Sequence, residues 1–157
     1  MSNFESSSKN NSNSNSKLNQ EVSAELSAEM SAGSGVELRP GSQTDLFVFE
    51  MLDCYWVARQ VLVLIVGHRA SLRGSPGALM PQMESAAVST VANIAEGSGR
   101  STPADKRARW TVARGEANEV AALVEIAVVL GAIPTGLHKE LRGLLLRLTR
   151  MLRNMTR

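Results

Sequence analysis

A single cysteine stands in the 157 residues, Cys54. That excludes an intramolecular disulfide and any cysteine-based metal site, and a free buried thiol suits a reducing cytoplasm. Histidine is almost as scarce. His68 and His138 have no histidine or cysteine at ligand spacing, so no metal is expected. No Cys/His or Ser/His/Asp order is present that would activate a nucleophile, and the phosphate-cradling motifs fail on inspection. In GSGRST, residues 97–102, Arg100 and Ser101 follow Gly99 where a Walker loop needs lysine. A dinucleotide fingerprint would need a third glycine and a preceding strand. The expectation is a non-enzymatic protein without cofactor. Long uninterrupted apolar runs are missing too, since Glu50, Asp53, Arg59 and Gln60 break up residues 44–68, so no membrane span is expected. The first residues lack the basic, apolar and small-residue succession of a secretory signal, which again favours the cytoplasm.

The composition then divides the chain. Residues 1–42 are rich in Ser, Asn, Ala and Glu and poor in large apolar side chains. Such a segment buries too little to offset a backbone ordering cost of about 1–2 kcal/mol per residue, so a disordered tail is expected, with at most a transient helical turn at SAELSAEM, residues 23–30. Residues 43–157 are expected to form the folded domain. The tail carries a net charge of −2 and the remainder +4, most of its cations being arginine. Arginine's planar fork suits phosphate and carboxylate alike, so this balance admits a nucleic-acid or acidic-protein partner and equally a merely solvated face.

Periodicity predicts helices. Residues 44–68 follow a candidate N-cap, Thr44, with Leu52, Tyr55, Trp56, Arg59, Leu62, Val63 and Val66 at spacings of three and four, although VLVLIV (residues 61–66) alone would also suit a buried strand. Gly74, Pro76 and Gly77 mark residues 69–81 as a loop. From about Pro81, Met83, Ala87, Val91 and Ile94 form one stripe and Ser85, Ser89, Asn93, Glu96 and Arg100 another. Gly97 and Gly99 then fall where a left-handed glycine would end the helix. Thr102, Pro103 and Asp105 supply an N-cap, a first-turn proline and an N3 carboxylate for the next one. GSGRST therefore reads as a helix stop followed at once by a helix start, with anion binding near Arg100 as the alternative.

Residues 103–131 carry the clearest repeat: Trp110, Ala113, Ala117, Val120, Val124, Ala127 and Gly131 form a heptad seam. A second stripe, Val112, Glu116, Glu119, Leu123, Ile126 and Leu130, lies nearly opposite. A four-helix bundle buries one stripe per helix, so the second face implies another subunit or partner, with Val112, Leu123, Ile126 and Leu130 as the contact residues. The last segment repeats Leu137, Leu141, Leu144, Leu148, Met151 and Met155, with Arg142, Arg147, Arg150, Arg153 and Arg157 on its other sides. Glu96, Glu116 and Glu119 lack the Glu-x-x-His of di-iron bundles; ion pairs of Glu96 with Arg100 and of Glu116 or Glu119 with Arg114 are the expected use of these acids.

The stretch NIAEGSGR (residues 93–100), followed by Gly115 and Glu119 in a G-x-x-x-E pattern, resembles the four-helix-bundle proteins encoded in intervening sequences of bacterial 23S ribosomal RNA genes. The resemblance covers roughly residues 45–155. It implies an all-α, antiparallel up-down four-helix bundle that assembles into a homo-oligomeric ring, a pentamer. The accessory variability determinant of diversity-generating retroelements is similar in fold, and there a basic ring binds a reverse transcriptase and nucleic acid. Asn93, Glu96, Gly97, Gly99, Arg100, Gly115 and Glu119 are then expected to be structural, with Asn93 and Glu96 as buried polar groups fixing helix register and the turn. The nucleic-acid surface would comprise Arg142, Arg147, Arg150, Arg153 and Arg157 with Arg100, Lys106 and Arg107. The functional expectation is an oligomeric scaffold that binds RNA, DNA or a nucleic-acid enzyme; the alternative is a purely structural self-assembling module whose charge only solubilises it.

Overall fold

The computed structural model describes residues 46–72 and 77–157. The tail, the candidate cap Thr44, Gly74 and Pro76 lie outside the described residues. Every regular element among those described is helical: α1 is Asp53–Gly67, α2 Leu79–Gly99, α3 Pro103–Val129 and α4 Thr135–Met155. Each packs on the helix before and after it in the chain, and α1 packs on α4, which closes an up-down antiparallel bundle.

The first segment is not one helix from residue 44. A 3-10 turn, Val48–Met51, precedes α1, and the chain is extended at Leu52 between them. Glu50 explains the break. Its carboxylate accepts the Phe47 N–H at 2.8 Å, and its carbonyl accepts the Trp56 indole N–H at 2.7 Å, so the turn is held against α1. VLVLIV is helical. The face that α1 buries is Cys54, Trp56, Val57, Ala58, Val61, Leu64 and Ile65, sharing only Trp56 with the stripe expected from spacing. Every position from Val61 to Val66 is apolar, so the pattern there has no contrast to orient the helix.

Residues 69–72, expected as loop, form a single helical turn, Arg69–Leu72. Arg69 grips Glu84 of α2 with two parallel bonds, Nε to Oε1 at 2.6 Å and Nη2 to Oε2 at 2.8 Å. α2 begins at Leu79, so Pro81 sits in its first turn, where backbone N–H groups have no intrahelical partner to lose. Met83, Ala87 and Ile94 are buried as their spacing requires, with Val91 half-buried.

α3 starts as its sequence directs. Thr102 Oγ1 accepts the Asp105 N–H at 3.1 Å and donates to Asp105 Oδ2 at 2.7 Å, with Pro103 opening the helix. Its inward seam is nearly sealed: Ala113, Ala117, Val120, Val124 and Ala127 are all at most 1% exposed. The left-handed glycine is elsewhere than expected. Gly97 and Gly99 are helical, and Gly131 alone among the described residues has positive φ, at 64°. There the Ala132 N–H reaches the Ala127 carbonyl at 2.8 Å and the Gly131 N–H reaches Val128 at 3.0 Å, a Schellman closure of α3. α4 buries Leu137, Leu141, Leu145, Leu148 and Leu152, each contributing about 1.5–3 kcal/mol before entropy.

At one end of the bundle Cys54, Val57 and Ala58 of α1, Ile94 of α2, Ala113 and Ala117 of α3, and Leu148 and Leu152 of α4 share a core cluster. That end therefore gathers the start of α1, the end of α2, the start of α3 and the end of α4.

Candidate nucleic-acid interface

The end just described is basic. Arg147, Arg150, Arg153 and Arg157 are exposed, and at 100° per residue they fall within an arc of about 120° facing away from the buried leucines of α4. None makes an ion pair among the described residues. Lys106 and Arg107 sit in the first turns of α3 at the same end, Arg107 exposed and Lys106 half-exposed. Arg114, which spacing assigned to a glutamate, instead donates from Nη1 to Thr156 Oγ1 at 3.0 Å and so ties the start of α3 to the last turn of α4. Among the described residues no pair of Arg114 with Glu116 or Glu119 forms: two and five positions on, those residues stand about 200° and 140° around α3 from Arg114, whereas helical ion pairs need spacings of three or four.

Two predicted cations stand apart. Arg142 lies in the first half of α4 and pairs with Glu125 of α3, whose carboxylate also meets His138 Nε2 at 3.3 Å. Those hydrogen bonds, His138 first and Arg142 after, hold the exposed Glu125 carboxyl below its ordinary pKa. Arg142 thus serves a clasp between α3 and α4 rather than the basic end. Arg100 pairs with Glu96 one turn back, as expected, and Arg109, which the sequence did not single out, reaches the same oxygen at 3.2 Å. Asp105, Ala108, Val112 and the two arginines line an open cavity of about 260 Å³ beside them.

The polar residues of the NIAEG stretch are not buried. Glu96 is 40% exposed, and the half-buried Asn93 donates to the Ser89 carbonyl of its own helix at 2.9 Å. Asn93 bonds only within its own helix, and Glu96 reaches α3 only through the exposed pair with Arg109, so neither is the buried polar group expected to fix register. Gly97 fixes it, through what it lacks: a Cβ there would stand 2.5 Å from Trp110 Nε1 and 2.6 Å from Cδ1. The indole of α3 occupies that space and donates to the Ile94 carbonyl at 3.3 Å, so the bare backbone is what allows α2 and α3 to cross closely. Gly99 and Gly115 meet no such neighbour.

Of the expected contact residues, Val112, Ile126 and Leu130 are 44–48% exposed, but Leu123 is 7% exposed and belongs to the core of its own chain. The outward line of α3 runs instead through Ala108, Val112, Gly115, Glu119, Ala122, Ile126 and Val129, all exposed, at alternating spacings of four and three. Val129, at 87%, was missed because it falls between the two stripes read from spacing.

Burial pushes the Cys54 thiol up to about 11, which leaves it protonated and unreactive near neutrality. Among the described residues, no group of three or more His, Cys, Asp or Glu side chains is placed to hold a metal ion. Nor is any helix among them long and apolar enough to cross a membrane.

Comparison with known proteins agrees with this geometry. The model of the 23S rRNA-intervening sequence protein family matches residues 51–154. A crystal structure from Bacteroides thetaiotaomicron, described as a protein of unknown function from the S23 ribosomal protein family, superposes with a TM-score of 0.62. It is 19% identical, covering 66% of this chain and 98% of its own, and shows the same fold. No curated protein matches. With the family model spanning α1 to α4, the chain belongs to the 23S rRNA-intervening sequence protein family.

Proposed function

We propose that the protein is a non-enzymatic, self-associating helical scaffold of the cytoplasm whose basic end binds nucleic acid and presents it to an enzyme acting on nucleic acid. The observation that carries this reading is the set of unpaired arginines on α4, Arg147, Arg150, Arg153 and Arg157, placed beside Lys106 and Arg107. Along α4 no acid stands among these four arginines, and the acids that share this end, Asp53, Glu96 and Asp105, lie on other helices, Glu96 with arginine partners of its own. Neutralising phosphates releases counterions, so affinity for a duplex should fall with a log–log salt slope near −0.9 per phosphate, and near −0.7 on a single strand. Replacing Arg147, Arg150 and Arg153 together by Gln should shrink that slope and weaken binding, read by fluorescence anisotropy of a labelled oligonucleotide. An unchanged affinity overturns the assignment of this end.

Self-association rests on the exposed heptad line of α3. Val112, Ile126 and Val129 stay exposed among the described residues, and Ala108, Gly115 and Ala122 between them would let a second helix approach closely. The family resemblance favours a closed ring of five. Such a ring would repeat the basic end around an axis and multiply weak phosphate contacts by effective concentration.

A further inference from the structure

Arg114 sits where the two basic helices meet. Its guanidinium is half-buried, yet the partner it holds is a neutral hydroxyl: Nη1 donates to Thr156 Oγ1 at 3.0 Å. No carboxylate pairs with it among the described residues, although a charge drawn out of water is ordinarily matched by an acid. The hydroxyl is itself oriented, since it spends its proton on the Leu152 carbonyl at 3.0 Å and keeps its lone pairs for Arg114. The guanidinium is thus held by one nitrogen, and that contact leaves unused its Nη2–Nε edge, which can grip an oxyanion with two parallel bonds.

The neighbours along this seam are cations. Arg107 stands seven positions before Arg114, on the same side of α3 to within about 20° and about 10 Å further along the helix. Across the seam, Arg153 lies three positions before Thr156, about 60° round α4, and Arg157 follows Thr156 directly. All three are exposed. The nearest acid on this side of α3 is Glu125, eleven positions away and already clasped by Arg142 and His138. With Arg114 level with Thr156, cations without an ion pair among the described residues run from Arg147 along α4, through Arg114, to Arg107 on α3, an axial length of about 24 Å. A single phosphate ion would meet a fraction of that line, whereas a polymer of phosphates would meet all of it. We propose that Arg114 grips a backbone phosphate of the nucleic acid through its Nη2–Nε edge, joining the stripe of α4 to Arg107 in one track across both helices. This rests on the nucleic-acid reading above and adds to it the contact that fixes how the backbone crosses this end.

The test uses the full chain with three labelled probes: a single strand, a duplex and a polyglutamate of matched charge. Arg114→Gln should weaken both nucleic acids about 10-fold or more and reduce the log–log salt slope by one phosphate, about 0.7 on the single strand and about 0.9 on the duplex. Arg114→Lys should restore the slope, because the charge remains, but not the affinity, because the two-pronged contact is gone. Thr156→Val removes the holder and no charge, so it should keep the wild-type slope and weaken binding less than Arg114→Gln does. If Arg114→Gln and Thr156→Val lower the urea midpoint alike while affinity and slope stay at wild type, Arg114 is only a tie between helices and the phosphate anchor is overturned. In that case loss of binding by the Arg147, Arg150 and Arg153 variant would still leave the basic end standing. Polyglutamate bound as tightly as the nucleic acids, and weakened equally by Arg114→Gln, also overturns the anchor and assigns the edge to an acidic protein. If the wild-type chain binds neither nucleic acid at low salt, both readings fall together.

Discussion

At the scale of single residues, Gly97 and Trp110 show how a side chain's absence is a structural part. Gly97→Ala places a methyl within 2.6 Å of the indole and must push α2 from α3 or turn the ring out, at a cost of about 1–3 kcal/mol. Gly143→Ala, on the exposed side of α4 where a Cβ meets nothing within 4 Å, should instead stabilise by about 0.5–1 kcal/mol. Urea unfolding of the two variants checks both signs. Cys54 makes a second prediction. Its folded pKa, about 11, is raised above the unfolded value of about 9.0, so its contribution to stability is complete below pH 9 and is lost as pH rises through 11. Ellman's reagent at pH 8 should label the native thiol at the rate of unfolding only; prompt labelling would contradict the burial.

Among elements, the boundaries with dedicated chemistry were the ones the sequence disclosed. Thr102, Pro103 and Asp105 act locally, so the start of α3 could be read from six residues, and Thr102→Ala should cost about 0.5–2 kcal/mol. Its other end is closed by Gly131 at φ 64°, and Gly131→Ala should cost about 1–2 kcal/mol, also read by urea unfolding. Sequence reasoning placed the left-handed residue at Gly97 or Gly99 because glycine near a helix end is ambiguous between turning the chain and admitting a neighbour. Only the position of Trp110 in space separates the two uses. The face of α1 was illegible for a related reason: VLVLIV offers apolar groups all round, and the choice among them is made by what α2 and α4 present. The basic stripe of α4 was legible because its arginines contrast with leucines at a strict spacing. Its partners were not, since Arg142 finds Glu125 and Arg114 finds Thr156 only across helices. Likewise the hold of the Glu50 carbonyl on the Trp56 indole depends on the break at Leu52 that periodicity did not foresee.

For the whole molecule, the outward line of α3 is decisive. Light scattering of the full chain should give a multiple of the 16.9 kDa monomer, five above all, and Val112→Glu with Ile126→Glu should return it to a monomer of unchanged helicity. A wild-type monomer would leave Val112 and Ile126 to a different protein. The bundle's closure also carries a kinetic meaning. α2 and α3 are joined by Arg100–Thr102 and α3 and α4 by Leu130–Pro134, whereas the contact of Cys54 with Met155 spans 101 positions. Loop-closure entropy rises with that span, so the α2–α3 hairpin should form early and the first helix should dock last. Gly97→Ala should then act chiefly by slowing refolding, while Met155→Ala should act chiefly by speeding unfolding, two opposite limbs of a chevron from residues at one end of the same core.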